Sequence, residues 1–351
     1  MENHYASNWS GDYSLNQVFM IDTVPVATQH SKLLRLVIFA ACIPQAGSLL
    51  LKVYGLCSLQ AAFLALAVPG ILIITAVYLW AKKQPDQFLR NTIELGFLGG
   101  LAGTIAYDLA RIPFLLMGLR IFAPISAYGV WLLDSNFSNR FSDLAGWGYH
   151  FLNGISFGVM YSLFMRSRPA FWAIIWGCGL ETIAFLSPFG RIFGFNTNAN
   201  ALAIAYFGHI VYGIPLGLLL MKDQSALRWL KSVPTGLYYF AVVLVGAYAV
   251  GQTTLPEKVA ADKSVEQGKF YIKDNKLYPD WIRITHQQIP SIVNKTGQQK
   301  TIVVKQLNSE ILIPSETQQN LDIKATGIYQ VFVKTPERTQ SSFLMIEPVE
   351  K

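Results

Sequence analysis

From residue 33 to residue 250 the chain is a succession of long apolar stretches separated by short polar or basic breaks. The first, residues 33–80, is too long for one membrane crossing of about 20 residues. It is interrupted at Lys52, Tyr54 and Gly55, which predicts a helical hairpin. Apolar stretches at 92–117, 144–165, 170–189, 202–221 and 235–250 follow, each near the length that a bilayer core requires, for a predicted total of seven spans. Lys82, Lys83 and Arg90 follow the hairpin, Arg166 and Arg168 separate the fourth and fifth spans, and Lys222, Arg228 and Lys231 separate the sixth and seventh. Alternate loops are therefore basic, which predicts that they lie inside, with the N-terminus cytoplasmic and the C-terminus outside. Residues 1–31 are polar and mixed, without a secretory signal pattern, and are expected to form a cytoplasmic tail. The connector at 119–143 is long, and its portion 121–133 is apolar and aromatic enough to lie in the outer interface or re-enter the bundle.

The pattern changes after Gln252. Residues 253–268 read as a polar linker, and 269–351 as short alternating runs between turn residues. Strands are predicted at 281–285, 301–305, 319–323, 329–333 and 342–346, all rich in Ile, Val, Thr, Tyr and Phe, with turns at 294–297 and 325–327. Such a segment folds as a small all-β sandwich. The penultimate strand Ala325-Thr326-Gly327-Ile328-Tyr329-Gln330-Val331-Phe332-Val333 and the last strand Ser342-Phe343-Leu344-Met345-Ile346-Glu347-Pro348 make this region similar to the cupredoxin fold. Where copper-binding members of that family place a cysteine, six residues after the glycine, this chain has Val333, and His286 lies before the expected ligand strands. A blue-copper centre needs a thiolate and two imidazoles. The resemblance thus implies a copper-free domain that acts as a docking module or lid.

Composition agrees with a polytopic helical membrane protein: 52% of residues are apolar and 14% charged, against roughly 25% charged in soluble domains. The formal charge of +7 is accounted for by basic inner loops, without a nucleic-acid partner. Cys42, Cys57 and Cys178 all sit in apolar segments, so no disulfide framework is written. Nucleophile elbows, phosphate loops, dinucleotide fingerprints and His-Glu-x-x-His runs are absent from the sequence, which leaves enzymatic activity undecided.

An internal parallel two-helix repeat is expected over residues 92–166 and 170–222. His150, Gly154 and Gly158 in the fourth span match His209, Gly213 and Gly217 in the sixth, both as His-x3-Gly-x3-Gly, and Thr104-Ile105-Ala106-Tyr107 matches Thr182-Ile183-Ala184-Phe185. Spacing of four puts each histidine and its glycines on one helical stripe, a packing face for a close helix neighbour. The two histidine helices are expected to meet at the centre of the bundle. Ionisable groups within spans normally face the protein interior or a wet cavity, and here they are Asp108, Arg111, His150, Glu181 and His209. Asp108 and Arg111, three apart, are placed to neutralise each other, whereas Glu181 has no local partner and does not follow the repeat.

Three functions follow as expectations. His150 and His209 bind haem b or a transition metal, with Asp108, Arg111 and Glu181 as supporting groups or a proton relay. A small-solute or proton-coupled transporter is the second, with the β domain over its mouth. The third is a non-catalytic accessory subunit that meets other membrane-complex subunits or an extracytoplasmic protein.

Overall fold

The computed structural model describes residues 29–117, 122–193, 199–221, 266–273, 275–335 and 341–347. The predicted hairpin is present: α1 (Gln29–Val53) returns through a turn in which Gly55 takes φ +71°, and the second arm runs without interruption through α2 (Leu59–Ala62), a π-helical turn (Phe63–Ala67) and α3 (Val68–Ala81). The Ser58 side chain caps the second arm by accepting from Ala61 N. Then come α4 (Phe88–Leu116), α5 (Ala123–Leu132), α6 (Arg140–Met165), α7 (Phe171–Leu186), α8 (Pro188–Ile192) and α9 (Ala199–Met221).

Four of these helical segments are long and apolar enough to cross a membrane: Lys32–Val53, Leu59–Ala81, Phe88–Leu116 and Ala199–Met221. Apolar side chains such as Leu33, Leu72, Phe171 and Leu186 face outward on α1, α3 and α7, as lipid-facing side chains do. The expected fifth crossing is shorter: Ser187 and Pro188 break the apolar run into α7 and α8, and Ser187 caps the second piece at Phe189 N. The expected fourth starts early, at Arg140, because Asn139 and Ser142 form a reciprocal capping box. The expected seventh span at 235–250, the tail before residue 29 and most of the predicted linker lie outside the described residues.

The C-terminal part is an all-β sandwich of two sheets, in strand orders β2-β1-β4-β7 and β3-β9-β8-β5-β6. The strands are β1 (Lys269–Lys273), β2 (Lys276–Tyr278), β3 (Trp281–Thr285), β4 (Ser291–Asn294), β5 (Lys300–Val304), β6 (Ser309–Ile313), β7 (Thr317–Asn320), β8 (Gly327–Val333) and β9 (Ser342–Glu347). Alternation along the strands sends Phe270, Ile272, Ile292, Ile302, Val331 and Leu344 into a shared core. β3 and β9 pair in parallel, Trp281 opposite Phe343 and Thr285 opposite Glu347.

That strand pair is buried on both faces. Ile282, Ile284, Leu344 and Ile346 point into the sandwich. One residue out of phase, Trp281, Phe343 and Met345 point the other way, into a cluster with Phe122, Ile125, Tyr128, Trp131, Tyr149 and Phe189 of the helical part. Trp281 and Phe343 stack with ring centroids 4.6 Å apart. Polar contacts complete the joint. Glu347 accepts from Trp131 Nε1 at 2.7 Å and from Arg283 Nε at 2.7 Å, and lies 3.1 Å from Lys52 Nζ at the end of α1. Arg283 also pairs with Asp134, and its backbone N–H donates to Asn136 O at 2.8 Å. The connector expected at the interface is therefore α5 and its following turn, clamped between α6 and the β domain. The close seat of α5 on α6 rests on glycine: a Cβ on Gly129 would stand 1.5 Å from Ser142 O.

Candidate functional site

Among the described residues the extensive contacts between the long helices run in the order α3–α1–α6–α4–α9–α7, with α5 on α6, and none of them joins α1 to α7. α4 can sit between α6 and α9 because it carries two glycine faces. A Cβ on Gly100 would lie 2.6 Å from Gly154 O on α6, and one on Gly103 would lie 2.7 Å from the Tyr212 ring on α9. The predicted glycine stripes pack closely, that of α6 against α4 and that of α9 against α7. Gly154 and Gly158 abut Thr104, Gly96 and Gly100 of α4, Gly213 abuts Ala173 of α7, and Gly217 abuts Ala170, the residue before α7. This corrects the expectation that the two histidine helices meet directly. Their glycines are used against α4 and α7, and α4 stands between them.

All five predicted ionisable residues converge nonetheless. His150 Nε2 lies 3.1 and 3.2 Å from the Asp108 carboxylate oxygens, and Arg111 Nη2 donates to Asp108 Oδ1 at 3.3 Å. Asp108 is thus shared between the expected local partner and a histidine of the next helix. Glu181, without a neighbour on its own helix, faces His209: Oε2 is 3.2 Å from Nδ1, which also lies 3.0 Å from Ala205 O. Asp108, Arg111 and Glu181 are all buried. Burying charge without a partner costs several kcal/mol, so the opposite charges and imidazoles here are mutually required.

Four of these groups, Arg111, His150, Glu181 and His209, line one cavity of about 300 Å³, and Asp108 stands behind His150 and Arg111. Its walls come from α1 (Ile43, Gly47, Leu50), α4 (Tyr107, Arg111), α6 (His150, Asn153, Phe157), α7 (Glu181, Ile183) and α9 (His209, Tyr212). The roof is Pro124, Ile125 and Tyr128 of α5 with Phe189 of α8, and the β-domain side chains Phe343 and Met345 belong to the same buried cluster as that roof. At the opposite end Tyr212 passes into an apolar cluster with Leu95, Tyr161, Leu216 and Leu220.

Sequence reasoning missed Tyr107 and Asn153 as wall residues. The Tyr107 ring touches both imidazoles, with centroids 5.8 Å from His150 and 4.9 Å from His209, and the Arg111 guanidinium carbon sits 3.8 Å from its centroid. That cation–π seat and the Asp108 bond fix the guanidinium. The available signal was position: Tyr107 is four residues before Arg111, on its helical face. Three buried polar atoms of the cavity-lining residues have no hydrogen-bond partner among the described residues: Arg111 Nε, Asn153 Oδ1 and Glu181 Oε1. The described residues contain no group of three or more His, Cys, Asp or Glu side chains placed to hold a bare metal ion. Comparison with known protein families, characterised proteins and solved structures finds no match.

Proposed function

We propose that this chain is a seven-span membrane protein whose function resides in a histidine-centred intramembrane binding site, covered on the outer side by a copper-free, cupredoxin-like β domain. One observation carries the reading: two histidines, each paired with a buried carboxylate of a neighbouring helix, line one cavity. Ionisable groups at membrane depth are costly and are retained where they bind or move something. The orientation is supported by Lys82, Lys83, Arg90, Arg166 and Arg168, which lie at the helix ends away from the β domain, as cytoplasmic loops require. The sandwich kinship is supported by Tyr329, whose hydroxyl donates to Ala325 O at 2.9 Å, the tyrosine corner of Greek-key sandwiches.

The duplicated hairpin reading accommodates the carboxylates through a slide. Glu181 stands five residues before Leu186, the position that the repeat sets opposite Asp108. A shift of more than one turn between α7 and α9, relative to α4 and α6, brings a different residue to each histidine and keeps the pairing.

Each pair leaves one ring nitrogen, Nδ1 of His150 and Nε2 of His209, unclaimed by the carboxylate that orients the ring. Those nitrogens serve as hydrogen-bonding or proton-exchanging groups toward a compact ligand, since the cavity is at the small end of the range for small-molecule sites. The carboxylate behind each imidazole is also the arrangement found behind metal-bound histidines, which favours haem b or a transition metal as the second reading. Native mass spectrometry and absorption spectra of the full chain purified after haem-replete expression decide between them. A defined small molecule retained by the wild type and lost from His209→Ala supports the compact ligand, and a Soret band supports haem. Equal behaviour of wild type, His150→Ala and His209→Ala in binding and in vivo would sink both. If substitutions on the exposed face of the β domain, such as Ile289→Asp or Leu312→Asp, were then the only changes with a phenotype, the accessory-subunit function would take their place. Proton-coupled uptake abolished by Glu181→Gln would make the site a transport site.

A further inference from the structure

The hydrogen-bond partners of the two histidines assign their tautomers. His209 Nδ1 lies 3.0 Å from Ala205 O and 3.2 Å from Glu181 Oε2, a carbonyl and a carboxylate. A nitrogen placed between two acceptors carries the proton, so the neutral ring has its bare nitrogen at Nε2. His150 Nε2 lies 3.1 and 3.2 Å from the two oxygens of Asp108, whose carboxylate also accepts from Arg111. The proton of that ring is therefore on Nε2, and its bare nitrogen is Nδ1. Neither bare nitrogen has a hydrogen bond among the described residues, and neither is one of their buried atoms without a partner. The His150 and His209 side chains keep 16% and 18% of their surface accessible, against 4% and 5% for Asp108 and Glu181 behind them. Both rings line the cavity. It is thus offered two hydrogen-bond acceptors, one from α6 and one from α9.

Two acceptors at two ends of one space select a ligand with two donors. A carboxylate or phosphate brings acceptors to acceptors and leaves both bare nitrogens unpaired. A diammonium ligand donates at both ends, but the Arg111 guanidinium carbon already stands 3.8 Å from the centroid of Tyr107, the ring that both imidazoles touch, and 4.6 Å from that of Phe122. A fixed positive charge at that place repels a dication. Hydroxyl groups donate without bringing charge. The imidazole centroids, 5.8 and 4.9 Å from that of Tyr107, are at most about 11 Å apart. A six-membered ring with a hydroxyl on opposite sides, and a hydrogen bond of about 2.8 Å at each end, has that reach. Tyr107, Tyr128, Phe157, Phe189 and Tyr212 line the same space, which suits a flat aromatic body.

We infer that the site takes an aromatic diol of the hydroquinone type, with one hydroxyl donating to His150 Nδ1 and the other to His209 Nε2. This inference rests on the binding-site reading above and names its ligand class. The test titrates the full chain in lipid nanodiscs, under argon, with hydroquinone, 4-methoxyphenol and 1,4-dimethoxybenzene, which share one ring and carry two, one and no hydrogen-bond donors. Wild type is expected to bind hydroquinone about tenfold more tightly than 4-methoxyphenol, the worth of one hydrogen bond, and 1,4-dimethoxybenzene more weakly still. His150→Ala and His209→Ala are each expected to bring hydroquinone down to the affinity of 4-methoxyphenol. The wild-type ranking decides without either variant: equal affinity for the three compounds, or tightest binding of the one without donors, overturns the inference. Tighter binding of the dication of 1,4-bis(aminomethyl)benzene than of hydroquinone overturns it as well, by assigning the two acceptors to a cation. Equal affinities in wild type that are lost in His150→Ala and His209→Ala leave the binding site standing and remove only the two-donor ligand. Failure of all four compounds to bind, in wild type and variants alike, removes the site too.

Discussion

Glu347 receives a lysine, an arginine and an indole at once, from α1, β3 and α5. Burial pushes its carboxyl up, but the charges of Lys52 and Arg283, with their hydrogen bonds, outweigh burial and hold it below the ordinary carboxylate value. A depressed folded-state value means that the contribution is present above the ordinary glutamate pKa of about 4.3 and is lost as pH falls below it. Limited proteolysis across a pH series is therefore expected to show the β domain firmly docked at neutral pH and loosening below about pH 4. Glu347→Ala removes the carboxylate shared by two half-buried cations, and a loss of about 1–3 kcal/mol in thermal or denaturant unfolding is expected, with Glu347→Gln intermediate because it can still accept from Trp131. None of this joint was legible in the sequence, where Glu347, Arg283 and Lys52 are ordinary charges far apart in the chain. The intramembrane residues were legible because Asp108, Arg111, His150, Glu181 and His209 stand out in apolar stretches, where any ionisable group needs a reason. Tyr107 and Asn153 do not stand out, since tyrosine and asparagine are common in helices, and their role depends on which face α4 and α6 turn to the cavity.

Helix pairing here is decided by glycine. A Cβ on Gly158 would lie 2.4 Å from Gly96 O and 2.5 Å from Gly100 Cα, backbone atoms that cannot step aside, while one on Gly148 of the same helix meets nothing within 4 Å. Gly158→Val is expected to cost about 1–3 kcal/mol in thermal stability, and Gly148→Ala to be neutral or slightly stabilising. The His-x3-Gly-x3-Gly stripes announced close packing, but their partners were misassigned, because a stripe states how near a neighbour can come and not which neighbour it is. The decisive feature was the Gly96, Gly99, Gly100, Gly103 set on α4, whose two faces place that helix between α6 and α9. Among strands, β3, β5, β8 and β9 were visible within one or two residues as β-branched and aromatic runs. The predicted strand at 319–323 is instead β7, which ends at Asn320. β1 and β2, with lysines at their ends, and the short β4 blend into turns and linker until their sheet partners are known.

At the scale of the whole molecule, the β domain and the basic loops mark opposite ends of the helical part. Membrane-impermeant maleimide labelling of Lys324→Cys and Lys83→Cys in cells is expected to modify the first and spare the second until the membrane is permeabilised. The reverse pattern would invert the orientation. The described helices account for the division into an apolar helical part and a β part that the change of pattern after Gln252 announced, although four helical segments, not seven, meet the length and composition of a crossing.

β9 belongs to two cores, since Leu344 and Ile346 fill the sandwich while Phe343 and Met345 fill the space above α5 and α8. Neither part is thermodynamically autonomous as a result: peeling the strand away from the helices strips its aromatic side, and melting the sandwich removes the layer behind Tyr128. A fragment limited to residues 266–351 is expected to self-associate through bare Trp281, Phe343 and Met345, and the intact protein to unfold in one cooperative step rather than two. Sequence changes in the water-exposed half will accordingly register in the lipid-embedded half, and the reverse, without any moving part between them.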